Sequence, residues 1–308
     1  MIQLSTQSTV IQAEQGTSNS LAESVQAIID AGNYFEIGKG FSARGYREAA
    51  FEGKMDPFVM ADHFRMTAPT FGEHPHAGLS AVSIILEDSV GSFHNVDSLG
   101  NNIDLKAGDL YWLSAGRGAI HDEYPLAGAD IHGLQIFVNT PKAQKFSAPS
   151  SLHIKAEDVP VIEKEGCRVR VVLGESNAHK TQSSPTVPVT ILDAYLDAGA
   201  VFNHELKQDH NLWLLALEGE LDIHLGDKRK LLQKDEALAV DPDEIATDLS
   251  LKVINRSAEK SHFILLSGQA IKETFVQDGP FVMSTQQEIE QLRADYAAGK
   301  LGSISQNA

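Results

Sequence analysis

Gly72-Glu73-His74-Pro75-His76, followed shortly by Ala81-Val82-Ser83-Ile84-Ile85-Leu86, is the most informative segment of the chain. The first part sets two imidazoles at i and i+2, which on a strand share one face. The second part is a short apolar run of strand length. His121-Asp122-Glu123, 45 residues beyond His76, repeats the i, i+2 spacing with one imidazole and one carboxylate. Two such strands crossing the inside of a β-barrel deliver three imidazoles and one carboxylate to a single point. That donor set suits a divalent transition metal and leaves two coordination positions open. The bland alternative is scattered surface histidines, in a chain with 12 of them.

From about residue 34 onward, short apolar runs alternate with turn signals. Leu110-Tyr111-Trp112-Leu113, Leu134-Gln135-Ile136-Phe137-Val138 and Arg168-Val169-Arg170-Val171-Val172-Leu173 read as strands. Ser98-Leu99-Gly100-Asn101 and Lys106-Ala107-Gly108-Asp109 read as turns. This regular spacing predicts an all-β sandwich or barrel. Pro141 to Pro160 reads as a connector. Both ends read as helix: Ser20-Leu21-Ala22-Glu23 is a capping box with Leu21, Val25 and Ile28 as a stripe and Gly32 as a stop. Ser284-Thr285-Gln286-Gln287-Glu288 is another, with Ile289, Leu292 and Tyr296 behind it and Gly299 at its end.

Composition bounds the function. A length of 308 residues suits two domains of about 130 to 150 residues each. The hydrophobic share of 42% and charged share of 22% are those of a globular protein. No apolar run reaches the roughly 18 residues of a membrane-spanning helix. The first residues lack the basic and apolar regions of a secretory signal, and a single cysteine, Cys167, has no internal disulfide partner. A reducing, cytoplasmic setting is therefore expected. The net charge of −17 argues against direct nucleic-acid binding, which needs a basic surface.

The chain also repeats itself. Leu99-Gly100 aligns with Leu225-Gly226, Leu105 to Asp109 with Leu231 to Asp235, and Ile85 to Asp88, with a shift, with Ala216 to Gly219. Two tandem copies of one β-fold follow. Carried across with these offsets, His74 and His76 fall on Glu205 and Lys207, and His121 and Glu123 on Thr247 and Leu249. His204 and His210 lie six apart, a spacing that fits neither a strand pair nor a helix face. One metal is expected in the N-terminal copy and none in the C-terminal one.

With these motifs in view, the first half resembles the pirin family of bicupins. The resemblance rests on Asp56-Pro57-Phe58, Asp62-His63-Phe64, His74-Pro75-His76-Ala77-Gly78 and Asp97-Ser98-Leu99-Gly100-Asn101. It continues through Ala107-Gly108-Asp109, Ser114-Ala115-Gly116-Arg117-Gly118, His121-Asp122-Glu123 and His132-Gly133-Leu134-Gln135, and in the tail through Gly279-Pro280-Phe281-Val282-Met283. It implies an all-β fold of two tandem cupin (double-stranded β-helix) barrels with short N- and C-terminal helices. The expected divisions are 1–33 as an extension with its helix, 34–160 as a metal-binding cupin domain, 161–283 as a metal-free one, and 284–308 as helix and tail. The resemblance also implies one Fe(2+) held by His74, His76, His121 and Glu123, though the donors themselves accept other divalent transition metals. Glu123 is the candidate catalytic base.

Three readings of function follow. The first is a quercetin 2,3-dioxygenase-type oxidoreductase that cleaves a flavonol or similar enediol. The second is an iron-dependent redox sensor that binds a protein partner; the third is a purely structural metal. Around the site, Pro75 is expected on a strand edge, Gly116 and Gly118 in a tight turn, and Gly133 in a place that leaves room beside the metal. Asp122 is expected to point away from the metal. Gln135 and His132 fall on opposite strand faces, with His132, His63 and His94 read as non-ligands and Trp112 as core.

Overall fold

The computed structural model describes residues 9–10, 27–226, 228–244 and 249–304. Two barrels of antiparallel strands follow one another. In the first, a seven-stranded sheet runs in the order Ser150–Ile154, Leu110–Ser114, Leu79–Ile85, Ile131–Asn139, Phe58–Met66, Phe41–Arg47 and Asn33–Ile37. It faces a four-stranded sheet ordered His74–His76, Ala119–Pro125, Phe93–Asp97 and Asn102–Leu105. The second barrel repeats the plan. Its seven strands run Val161–Lys164, Cys167–Leu173, Val189–Leu196, Ser261–Gln269, His210–Glu218, Ala237–Val240 and Ile28–Asp30. Its four-stranded sheet is ordered Val201–Glu205, Ser250–Asn255, Leu221–Leu225 and Lys228–Leu232.

Strand alternation decides what each residue meets. Along Leu79–Ile85, Ala81, Ser83 and Ile85 turn into the first barrel, while Val82 and Ile84 turn outward. The outward residues join Trp112, Leu134 and Ile136 in one cluster with Ile191, Trp213, Ile264 and Leu266 of the second barrel. The two larger sheets thus pack back to back. Trp112 and Trp213 are both fully buried in this shared core, and truncating either to Ala is expected to cost about 3–5 kcal/mol.

The chain ends cross over. Ile28–Asp30 pairs with Ala237–Val240 of the second barrel. Phe281–Met283 and the helix Gln286–Ala297 pack on the first, where Met283, Ile289, Leu292 and Leu301 meet Ala77 and Ile120. Lys145 fastens this tail: its ammonium donates to the carbonyls of Gly78 (2.9 Å) and Val282 (2.9 Å) and to Asn139 Oδ1 (2.7 Å). The tail helix carries its capping box, Thr285 with Glu288. Its stripe is shorter than expected: Ile289 and Leu292 are buried, whereas Tyr296 is exposed.

Three expectations change. Most of the N-terminal helix falls on residues 11–26, outside the described residues, and its last turn, Ile28–Asp30, is a strand because a sheet edge is there to receive it. The connector Pro141–Pro160 contains a strand, Ser150–Ile154, that extends the first sheet beside Leu110–Ser114. The repeat offsets also shift. The Lys106 amide bonds the Asp109 carboxylate, as the Gln233 amide bonds that of Glu236, so the copies align one residue further along than the sequence match. Beyond that turn the loops differ: nine residues separate Val240 from Ser250, where four separate Ser114 from Ala119. Strand pairing then sets His74 against His204, His76 against Leu206, His121 against Leu251 and Glu123 against Val253. Glu205, Lys207 and Leu249 are not the counterparts, and Thr247 lies outside the described residues.

Candidate metal centre

Strand His74–His76 is the free edge of the smaller sheet of the first barrel. Pro75 therefore lacks an amide proton where none is needed. The register pairs His121 with His74 and Ala119 with His76. All three imidazoles enter the barrel, while Pro75 and Ile120 alternate away. The turn before His121 bends through Gly116 and Gly118, at φ +51° and +142°. A side chain at Gly118 would collide with Leu301, its Cβ lying 2.3 Å from that residue's Cδ2, so the tail seals the turn.

The three histidines converge. His121 Nε2 lies 3.0 Å from the Nε2 atoms of both His74 and His76, and one nitrogen from each ring falls within 4.8 Å of the others. His74 Nδ1 bonds the Gly72 carbonyl at 2.8 Å. That bond fixes the proton on Nδ1 and leaves the Nε2 lone pair facing its neighbours. Burial holds His76 and His121 well below the usual imidazole range; His74 lowers both further, and His76 also lowers His121. Burial lowers His74 as well. Three neutral imidazoles aimed at one point cannot satisfy one another's lone pairs, but one cation can satisfy all three. The donor set fits a transition metal.

Glu123 is buried nearby but outside this convergence: its Oε2 lies 3.9 Å from His121 Nδ1, the ring nitrogen turned away from the other two histidines. The Ser83 hydroxyl lies 2.8 Å from both carboxylate oxygens and 3.1 Å from Gln135 Oε1. Burial pushes the Glu123 carboxyl up to about 7, against the opposing Ser83 hydrogen bond. The Phe137 and His76 rings meet nearly at right angles, with centroids 5.1 Å apart. His74 is the least buried of the three rings, and the exposed Phe71 ring stands 6.4 Å from it.

The other sequence candidates sort cleanly. Gln135 faces this chamber and His132 the opposite side. His94 bonds Asp104 outside it. Asp122 alternates away from the three rings, opposite Val96. Gly133 makes room for protein rather than for a metal: a Cβ there would sit 2.6 Å from the Ile84 carbonyl and 3.0 Å from Phe64. Ser83 escaped the sequence reading. Its signal was available, as the one polar residue at an inward position of an apolar run. Asn95 escaped too; it is fully buried opposite Glu123, and neither of its side-chain polar atoms has a protein partner.

Residues 40–138 match the family described as Pirin, and residues 191–302 match its C-terminal cupin domain. The chain belongs to the pirin family. Pirin from Homo sapiens is 32% identical over 80% of this chain and 83% of its own length. A pirin-like protein from Solanum lycopersicum is 34% identical over 80% of this chain and 82% of its own. Among solved structures, a quercetin 2,3-dioxygenase from Acinetobacter baumannii is 26% identical, with a TM-score of 0.79, covering 92% of this chain and 99% of its own. The pirin cupin architecture is the one described above. Among the described residues, no helix is long and apolar enough to cross a membrane.

Proposed function

We propose that His74, His76, His121 and Glu123 hold one iron(II) ion, and that the chain is an oxidoreductase of the quercetin 2,3-dioxygenase type acting on a flavonol or similar enediol. The carrying observation is the convergence of three neutral imidazoles, two buried and His74 half-buried, with a buried carboxylate beside His121. The likeness to a solved quercetin 2,3-dioxygenase supports the same reading. Iron bound there supplies one-electron chemistry toward dioxygen and polarises a substrate hydroxyl, whereas zinc would fit the donors without redox chemistry.

The protein's own part is proton handling and enclosure. Burial raises the Glu123 carboxyl in the metal-free chain, and released from the metal it would accept a proton from a substrate hydroxyl. Ser83, 2.8 Å from both carboxylate oxygens, orients that group. Val59, Met60, Leu79 and Phe137 form a buried apolar flank, with Phe137 against His76, that keeps water from that side of the rings. The test is anaerobic loading with iron(II), then oxygen consumption with quercetin. Turnover above that of free iron, abolished by His76→Ala, is the expected result. Turnover no greater than that of free iron, or unchanged in His76→Ala, removes the proposal.

The net charge of −17 supports a second reading, an iron-dependent redox-sensing regulator whose partner is a basic protein surface. Pull-downs with ferrous, ferric and metal-free protein should then differ. Identical partners in all three states count against it.

A further inference from the structure

We propose that His63 and His132 form a second transition-metal site, on the outer face of the larger sheet of the first barrel. Strand Phe58–Met66 lies beside Ile131–Asn139, with Leu134 opposite His63 and Arg65 opposite His132. The two histidines are therefore diagonal neighbours on one face, the face turned toward the second barrel. Their Nε2 atoms point at each other across 2.6 Å, with ring centroids 4.8 Å apart. The triad shows the same convergence, with Nε2 contacts of 3.0 Å and centroids 4.5 to 5.0 Å apart.

Asp88 prepares one of the two ligands. Its carboxylate oxygens both lie 2.8 Å from His132 Nδ1. That contact places the ring proton on Nδ1 and leaves Nε2 as a lone pair aimed at His63. A carboxylate behind the histidine is the support that metal-binding imidazoles commonly have. Burial keeps His63 neutral, lowering it to about 3, and lowers His132 as well. Both rings are thus in the form that binds metal.

The neighbouring cations are already paired. Arg65 meets Asp88 and Asp130, Lys234 meets Glu218 at 2.7 Å, and Arg44 meets Asp235 at 3.5 Å. Across the seam His262 is held by Asp193 at 2.6 Å and stacks on Tyr195, so it stands by without joining. Two imidazoles suit zinc, nickel or copper, with water or a small anion completing the shell. Having two ligands, the site binds more weakly than the triad.

The competing explanation is a plain hydrogen bond from His63 Nε2–H to His132 Nε2. Zinc titration of metal-free protein, read by competition with a chromophoric chelator, separates the two. Wild type should take up two equivalents. The weaker one should vanish in His63→Ala and in His132→Gln, and persist in His121→Ala. Asp88→Asn should weaken it about tenfold. Zinc should raise the melting temperature of His121→Ala and leave that of the His63→Ala, His121→Ala double variant unmoved. If His63→Ala does not fold, His63→Gln carries the same readout. A single equivalent in the wild type, or two in the variant that lacks His63, overturns the proposal.

Discussion

Leu251 and Val253 stand in the second barrel where His121 and Glu123 stand in the first, and Leu206 stands where His76 does. Ser83 and Gln135 meet their counterparts in Leu214 and Leu265, which are paired with each other as Ser83 and Gln135 are. Of these positions only His204, opposite His74, stays polar, and its Nδ1 lies 2.9 Å from the Ser176 hydroxyl. The second barrel is closed by one apolar cluster holding Leu206, Leu214, Leu251, Val253 and Leu265. The first keeps apolar packing to either side of its chamber and fills the chamber with groups that want a cation. The barrel plan therefore does not need the site. One copy carries ordinary core, and the other gives up core for a cluster of metal-ligating and polar groups, a local violation of polar burial of the kind expected at functional sites.

Truncations at equivalent positions of the two barrels should differ most. His121→Ala should take bound metal from one ion per chain at the triad to none, and oxygen consumption with it. Leu251→Ala should leave metal content untouched and lower unfolding free energy by about 2–5 kcal/mol. Metal analysis beside chemical denaturation reads both. Loss of metal on Leu251→Ala would show that the second barrel shapes the site.

Next in size is a carboxylate moved to the wrong copy. Val253→Glu buries an acid among Leu206, Leu214 and Leu251 with no hydroxyl in the place of Ser83. It should cost about 3–5 kcal/mol, the penalty of an uncompensated buried charge. A loss below about 1 kcal/mol in urea unfolding would mean the second chamber is wetter than its packing implies.

The third test uses pH. His204 is held down to about 4, chiefly by burial and then by Lys207, against 6.5 when unfolded. Between those values the unfolded chain binds more protons, so stability falls as pH drops from 6.5 to 4, by about 3 kcal/mol in total. His204→Asn should flatten that part of the stability profile. An unchanged slope would assign the acid sensitivity elsewhere.

Much of this was legible in the residues. The i, i+2 pairs at His74, His76 and His121, Glu123 declare their shared face because strand alternation is strict, and the turns at Asp97 to Asn101 and Lys106 to Asp109 mark strand ends. What stayed hidden depends on long-range pairing. The register between copies is set by loop length after Val240, where a local match of Leu-Gly pairs misleads by one residue and then by four. Ile28–Asp30 has helical periodicity nearby, but an open sheet edge overrides it. Ser83 looks like an impurity in an apolar run until Glu123 is brought across from 40 residues away.

Ser83 gives a smaller test. Ser83→Ala removes the hydroxyl that orients Glu123 and makes the first barrel locally more like the second. Metal affinity should fall about tenfold, as for a group that supports a metal ligand. Metal-free stability should fall by about 1–3 kcal/mol, the cost of leaving a buried acceptor without its partner. Unchanged affinity would leave Glu123 oriented by its own strand alone.

The smallest effects belong to the residues between the inward ones. Lys252, exposed between Leu251 and Val253, should tolerate Ala within about 0.5 kcal/mol. Asp122, between His121 and Glu123, is opposite Val96 and half-buried on the outer side of the same sheet. Asp122→Ala should therefore keep the full metal content of the triad, since only its electrostatic support of His74 is removed. Strand alternation makes this near-silence as informative as the losses. A slip of one residue in the pairing of Ala119–Pro125 would exchange Asp122 with its neighbours, and metal content would then follow Asp122 rather than His121 and Glu123.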